Sequence, residues 1–147
     1  MEKSIAQIMG YMKEQFKLEE VDIKTYSPLT LAYIGDCIYE LVIRSMLVMH
    51  GNQTVDKLHK KASKLVKASA QSAMIEVLKP HLTEDERVIY KRGRNAKSFT
   101  VAKNATLIDY RRATGFEAVM GYLYLQEDME RIVDLVKIGL ENMGEQR

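Results

Sequence analysis

The sequence has few of the residues that build disulfides, zinc sites and membrane spans. Its 147 residues include one cysteine, two prolines and no tryptophan. Because Cys37 has no second cysteine to pair with, an internal disulfide and a cysteine-rich zinc site are excluded. The longest runs without Asp, Glu, Lys or Arg are 11 residues, at 25–35 and 45–55, whereas a membrane-spanning helix needs about 20 apolar residues. The N-terminus also has no apolar signal core, so we expect no membrane partner and a cytoplasmic location.

Two prolines leave room for long uninterrupted helices. Apolar residues recur at three- and four-residue spacing, without the alternation of strands. Ser27 before Pro28, Thr54, and Thr83 with Glu86 are the expected helix N-caps. The sequence predicts a single all-α domain, with 1–26 as an N-terminal helical extension and 27–147 as its main part. The predicted helices cover 5–16, 28–49, 55–66, 69–78, 84–90, 105–125 and 127–142.

The net charge of +2 conceals a strongly basic central region. Residues 57–112 contain 14 Lys and Arg against five Asp and Glu, a net +9, while the rest of the chain has eight against 15, a net −7. Such asymmetry indicates a polyanionic partner, with nucleic acid as one candidate. A lysine-rich helix that is merely solvated is the alternative.

Two predicted helices each carry an isolated carboxylate beside a glycine. Asp36 follows Gly35 in a largely apolar helix, and Glu117, the one charged residue of 113–125, has Gly121 one turn further on. Glycine costs about 1 kcal/mol inside a helix, so its presence indicates a place where another backbone or a ligand comes close. Cys37 lies on a different side of its helix from Asp36, and we expect it in the packed core.

If the two helices cross at these positions, Asp36 and Glu117 supply oxygen ligands for a hard divalent cation. Mg²⁺ suits such a pair, because it takes one or two carboxylates and keeps several waters; Mn²⁺ is the second candidate. Alternatively, each carboxylate caps a loop or pairs with an arginine. Asp36, Glu40 and Arg44 are four residues apart, so they also fit a solvent-facing edge with a Glu40–Arg44 pair.

The segment 91–104 contains five cations, two asparagines and no acidic residue. We expect it to be a loop or a frayed helix that holds the backbone of an RNA duplex, since arginine forks match phosphate oxygens and A-form RNA is recognised largely through its backbone. Lys60 and Lys61, from a lysine cluster at 57–67, are further candidates. A mobile or solvated surface is the alternative for both segments. The candidate RNA-binding residues of 91–104 are Arg92, Arg94, Asn95, Lys97, Lys103 and Asn104.

Two segments carry a resemblance to a known family. Residues 31–40, LAYIGDCIYE, resemble the ribonuclease III signature helix, and 116–125, FEAVMGYLYL, resemble its second catalytic helix. The segments LHKKAS at 58–63, KRGRNAKS at 91–98 and TGFEA at 114–118 resemble the Mini-ribonuclease III branch, which lacks a separate double-stranded-RNA-binding domain. The resemblance covers roughly 29–130.

The resemblance implies a dimeric, all-α, Mg²⁺-dependent endonuclease of double-stranded RNA. Asp36 matches the catalytic aspartate and Glu117 the metal-binding glutamate, and together they would hold the ion that activates water. The branch is associated with maturation of the 23S ribosomal RNA precursor, which adds ribosomal proteins or the pre-ribosome as further candidate partners. Its products carry 5′-phosphate and 3′-hydroxyl ends.

Two departures from the wider ribonuclease III pattern leave a second function open. Ala32 and Thr114 stand where that family usually has a glutamate and an aspartate. Both departures are compatible with the Mini branch, but fewer anionic ligands should weaken metal binding. The alternative is therefore a catalytically inactive RNA-binding or ribosome-assembly module on the same fold.

Overall fold

A computed structural model describes residues 5–97 and 106–143, and these residues contain helices and no β-strand. The predicted all-α class is confirmed. No helix within these ranges has the length and apolar character needed to cross a membrane. Two short 3₁₀ turns, Ile23–Thr25 and Lys79–His81, interrupt the α-helices. The helices are α1 (Ile5–Phe16), α2 (Pro28–Met49), α3 (Val55–Val66), α4 (Ala68–Leu78), α5 (Glu84–Asn95), α6 (Leu107–Leu125) and α7 (Met129–Asn142).

The helices begin where the capping residues predict. The Ser27 side chain accepts a hydrogen bond from the Thr30 amide, and Pro28 occupies the first turn of α2. Thr54 caps α3 in the same way. Thr83 and Glu86 form a complete capping box at the start of α5. Each cap satisfies an amide that has no partner inside its own helix.

The predicted end of α5 near residue 90 is wrong, because the helix continues to Asn95. Residues 91–95, expected in a loop or frayed helix, form its last turn. The reason lies in packing against α6: a Cβ placed at Gly93 would lie 2.8 Å from the Cα of Gly115. Two glycines therefore let α5 and α6 approach closely, and this contact supports a helical turn with poor intrinsic propensity.

Helix α6 lies at the centre of the fold, packed against α2, α4 and α5. Every residue from 113 to 123 except Glu117 is buried. Phe116 meets Tyr39 of α2 edge to face, with ring centroids 4.9 Å apart. Helix α2 buries one face against α6 and leaves apolar side chains on its other face exposed.

A bidentate ion pair fixes α7 to the start of α5. Arg131 donates from Nε and Nη2 to the two carboxylate oxygens of Glu86 at 2.9 and 2.8 Å, and from Nη2 to the His81 carbonyl at 2.8 Å. Glu86 is 3% exposed. Burial alone would raise the pKa of Glu86, but the hydrogen bonds from Arg131 and Thr83 outweigh it and lower that pKa.

Candidate active site at the crossing of α2 and α6

Reciprocal glycines bring the backbones of α2 and α6 into direct contact. A Cβ at Gly35 would lie 1.7 Å from the Glu117 carbonyl oxygen, and a Cβ at Gly121 would lie 1.9 Å from the Leu31 carbonyl oxygen. Neither position can carry a larger side chain without separating the helices. The expectation that these glycines mark a close approach is confirmed. The crossing sets Asp36, the neighbour of Gly35, beside Glu117.

The two carboxylates line one open pocket of about 490 Å³. Asp36 is exposed and Glu117 is partly buried. One carboxylate of the pocket therefore faces solvent, and the other is partly shielded from it. The pocket remains accessible to a substrate from solution. Its lining consists of Leu29, Ala32, Tyr33, Ile34, Asp36, Cys37, Tyr110, Thr114 and Glu117.

Glu117 sits in surroundings that oppose its negative charge. Burial raises the pKa of Glu117 to about 8, and the charge of Asp36 and the hydrogen bond between the two carboxyl groups act in the same direction. A hydrogen bond with the Gln71 side chain acts in the opposite direction. A divalent cation bound by both carboxylates would relieve the repulsion between their negative charges.

Gln71 is the residue near the site that sequence reasoning missed. It lies on the buried face of α4 and is 2% exposed. Its Nε2 donates to the Val66 carbonyl at 2.8 Å, and its side chain also reaches Glu117. A signal was present: Gln71 shares its helix face with Met74, Ile75 and Leu78 at positions i, i+3, i+4 and i+7, and a polar residue in an apolar face needs a partner.

Cys37 was expected in the core, and this expectation is wrong: it is exposed. It lines the same pocket as Asp36. The face of α2 that carries Cys37 is apolar but does not pack against another helix within the described residues. Apolar character predicted burial here, whereas the contacts of the folded chain leave this face uncovered.

Comparison with known proteins identifies the family. Residues 29–128 match the ribonuclease III domain. A Mini-ribonuclease 3 from Clostridium tetani is 48% identical over 129 residues, which cover 87% of this chain and 84% of the relative. One from a Thermoanaerobacter species is 41% identical over 145 residues, covering 99% and 100%. A crystal structure of a Fusobacterium nucleatum protein, 35% identical, superposes with a TM-score of 0.74 over 86% of this chain and 100% of the other. The chain belongs to the Mini-ribonuclease III branch of the ribonuclease III family.

Family membership makes the chain a ribonuclease III-type endoribonuclease. Two residues of the pocket depart from the wider ribonuclease III pattern. Ala32 and Thr114, at the positions where carboxylates were expected, both line the pocket. The Thr114 hydroxyl donates to the Tyr110 carbonyl of its own helix at 3.0 Å. Glu40 does not line the pocket and is paired with Arg44. Among the described residues, no group of three or more His, Cys, Asp and Glu side chains is placed to hold a metal.

Three of the candidate RNA-binding residues of this ribonuclease III-type chain lie on the last turn of α5. Arg92 is half-buried and donates from Nη2 to the Tyr26 carbonyl at 3.1 Å. Arg94 lies over the Tyr90 ring, with its Cζ 5.6 Å from the centroid, and donates to the Asn95 side chain. Arg92 therefore has a structural partner, whereas Asn95 is exposed.

The lysine candidates of α3 are exposed. Lys60 pairs with Asp56 at 3.3 Å, and Lys61 donates to the Gln53 side chain at 2.8 Å. An exposed ion pair such as Lys60–Asp56 contributes about 0–1 kcal/mol. Lys97 is also exposed, just beyond α5. The remaining two candidates, Lys103 and Asn104, lie outside the described residues.

Proposed function

We propose that this endoribonuclease cuts double-stranded RNA in a Mg²⁺-dependent reaction and matures the ends of the 23S ribosomal RNA precursor. One observation carries the chemistry: the crossing of α2 and α6 holds Asp36 and Glu117 in contact at an open pocket. The ribosomal substrate rests on the resemblance to the Mini-ribonuclease III branch. The resemblance also implies that the enzyme acts in the cytoplasm, with ribosomal proteins or the pre-ribosome as further partners.

The donor set of the pocket fits a hard divalent cation. Both carboxylates offer oxygen ligands, and Glu117 is partly withdrawn from water beside a like charge. Asp36 and Glu117 would hold the ion, Mg²⁺ or Mn²⁺. When bound, such an ion polarises a phosphoryl oxygen and lowers the pKa of a coordinated water. Two carboxylates suffice for Mg²⁺, which keeps several of its waters.

The task of the basic residues, and of the two asparagines among them, is to hold the RNA backbone near the pocket. Asn95 and Lys97 are exposed at the end of α5, and Lys60 and Lys61 are exposed on α3. Lysine contacts to phosphate carry no base preference but hold the duplex in register. Lys103 and Asn104 complete the proposed set, together with Arg92 and Arg94. Binding of this kind weakens steeply as salt rises, because it depends on counterion release.

We also propose that the enzyme is a homodimer joined through an apolar stripe on α2. The stripe consists of Tyr33, Cys37, Leu41 and Val48, spaced four, four and seven residues apart. Its apolar side chains are 82% (Tyr33), 51% (Leu41) and 58% (Val48) exposed in the single chain. Tyr33 and Cys37 also line the pocket. A second copy covering the stripe would therefore bury apolar surface directly beside each catalytic pocket.

The experiment uses a labelled RNA duplex, incubated with the wild-type enzyme in Mg²⁺ and in EDTA, beside two variants of α2. Asp36→Asn removes one charge of the pocket pair and should abolish cleavage, while RNA binding in EDTA is retained. Glu40→Gln is the matched control, because Glu40 lies one turn away and pairs with Arg44 outside the pocket. The control should cleave at a rate close to that of the wild type.

The results distinguish the proposed enzyme from the alternative, a catalytically inactive RNA-binding module. Cleavage by Asp36→Asn at the wild-type rate would refute the site. An equal loss of cleavage in Glu40→Gln would show that removing any charge from α2 has this effect, and that the pocket carboxylate is not specifically required. No cleavage by the wild type, with salt-sensitive binding retained, would favour the inactive RNA-binding module that Ala32 and Thr114 suggest.

A further inference from the structure

Two cations lie over the buried aromatic ring of Tyr90, which belongs to α5. Tyr90 is 3% exposed, and its ring packs against Gly115 of α6, where an added Cβ would be 2.6 Å from the ring atom Cδ1. The Lys79 ammonium, at the end of α4, is 5.7 Å from the ring centroid. The Arg94 guanidinium carbon, on the last turn of α5, is 5.6 Å from it. The buried ring is therefore a fixed point around which the two cations gather.

A single carboxylate links Lys79 to a third cation, Arg112 of α6. The Oε2 atom of Glu76 is 2.8 Å from the Lys79 Nζ atom and 3.3 Å from the Arg112 Nε atom. All three side chains are partly exposed, with fractions between 35 and 41%. Because both cations contact the same oxygen, one negative charge holds two positive charges close together.

The three cations, Lys79, Arg94 and Arg112, form the Tyr90 cluster, and their charge is only partly neutralised. Among the residues that the structure describes, Glu76 is the one carboxylate that forms an ion pair with any of them. The Tyr90 ring attracts cations through its quadrupole but carries no net charge. Three cations facing one carboxylate leave an excess of positive charge, which is complementary to a phosphate group.

The Tyr90 cluster also contains donors that a phosphate can use. Arg112 contacts Glu76 through its Nε atom, and Arg94 donates to the Asn95 side chain from its own Nε atom. Neither contact uses the two terminal nitrogens of the guanidinium, whose fork matches two phosphate oxygens. The Tyr90 hydroxyl is buried and has no hydrogen-bond partner within the described part of the chain, although buried hydroxyls are nearly always paired. A phosphate oxygen would supply the acceptor that these donors lack.

The Tyr90 cluster lies outside the pocket of Asp36 and Glu117. The residues that line this pocket include none of its three cations. Arg112 precedes Glu117 by five positions on α6, so the two side chains point about 140° apart around the helix axis. A phosphate bound by the cluster therefore belongs to a part of the RNA away from the bond that is cut.

We propose that Lys79, Arg94 and Arg112 bind a phosphate of the RNA backbone at a second contact point, away from the scissile bond. The inference rests on the proposed function and adds Lys79 and Arg112 to the proposed RNA-binding residues. Glu76 and the Tyr90 ring gather these side chains before RNA binds, which reduces the conformational entropy lost on binding.

The test compares two double variants that lose the same charge. Lys79→Gln with Arg112→Gln removes two cations of the Tyr90 cluster, whereas Lys137→Gln with Arg111→Gln removes two exposed cations outside it. Binding of a labelled RNA duplex with extended single-stranded ends is measured in EDTA, without cleavage, over a range of salt concentrations. We expect the cluster variant to bind about 10-fold more weakly at low salt. The slope of log K against log salt should fall in magnitude by about 1, and the control should keep both wild-type values.

A second measurement uses the wild type and distinguishes RNA from a free anion as the source of the phosphate group. The side-chain Nε resonance of Arg112 should shift when the RNA is added in EDTA, and much less with inorganic phosphate at the same phosphate concentration. A shift with inorganic phosphate and none with RNA would assign the cluster to a free anion and overturn the proposal. Wild-type affinity in the cluster variant, or an equal loss in the control, would also overturn it and leave the proposed function intact. A wild type that binds no RNA duplex would refute the proposed function together with this inference.

Discussion

Replacing Gly35 with alanine tests whether the contact between α2 and α6 fixes the geometry of the proposed active site. The new Cβ would lie 1.7 Å from the Glu117 carbonyl oxygen, where real Cβ atoms essentially never come within 3.0 Å. The obstacle is backbone, which cannot rotate away as a side chain can. The two helices must therefore separate by more than about 1 Å, and Asp36 must move relative to Glu117.

The expected cost combines two opposing effects. Alanine has a helix propensity about 1 kcal/mol better than that of glycine. Overpacking of a core typically costs about 1–3 kcal/mol, and more where the structure cannot yield. Because the clash is with backbone, we place Gly35→Ala at the upper end, with a net loss of about 2 kcal/mol and a Tm lower by roughly 5–8 °C for a chain of this size. A displacement of about 1 Å at the site can reduce cleavage about 100-fold.

Gly10→Ala is the matched control for the propensity effect. Gly10 lies inside α1, and a Cβ there would meet no atom within 4 Å. This variant should therefore be as stable as the wild type or up to about 1 kcal/mol more stable, with unchanged cleavage. Thermal denaturation and cleavage of the RNA duplex at saturating Mg²⁺ measure both quantities. A Gly35→Ala variant that is as stable and as active as Gly10→Ala would refute the role of the helix crossing.

Three further predictions concern stability, its pH dependence and assembly. Arg131→Gln leaves the buried Glu86 carboxylate without its cation and should cost roughly 3–5 kcal/mol of unfolding free energy. Because the pKa of Glu86 is lowered in the fold, the stability from its ionised form is present above the ordinary glutamate pKa of about 4.3 and is lost as pH falls through the folded value. The Tm difference between the wild type and Glu86→Gln should thus shrink with acid, and a difference that stays constant from pH 7 to pH 3 would contradict this sign. Leu41→Glu places a charge in the α2 stripe and should halve the mass measured by light scattering, whereas Val133→Glu, also at an exposed apolar position, should not; an unchanged mass for Leu41→Glu would exclude the stripe as the dimer interface.

Local signals in the sequence were sufficient to predict most helix starts. Ser27, Thr54 and Thr83 cap α2, α3 and α5 as predicted, because capping involves residues only three positions apart. The end of α5 was mispredicted because the contact that supports its last turn, between Gly93 and Gly115, joins residues distant in sequence. Helix ends without a strong stop signal depend on such contacts.

The proximity of Asp36 and Glu117 was predictable because glycine and carboxylate stand together in each helix. An apolar helix accepts a glycine such as Gly35 or Gly121 at a cost, and that cost is explained by close backbone approach. The same reasoning could not find Gln71, which is buried on α4 and donates to the Val66 carbonyl at the end of α3. A polar residue in an apolar face signals a buried partner but does not say which one.

Composition and pattern thus determined the all-α class, the helix starts and the two carboxylates, since these follow from residues close together in the chain. The tertiary structure alone decided which faces are covered. Cys37 and Leu41 are apolar and yet exposed, because within 5–97 and 106–143 the helices that pack against α2 cover its other face. The same packing made Glu117 partly buried and gave it Gln71 as a partner. Burial and hydrogen-bond partners depend on the arrangement of whole helices, and short-range periodicity does not specify that arrangement.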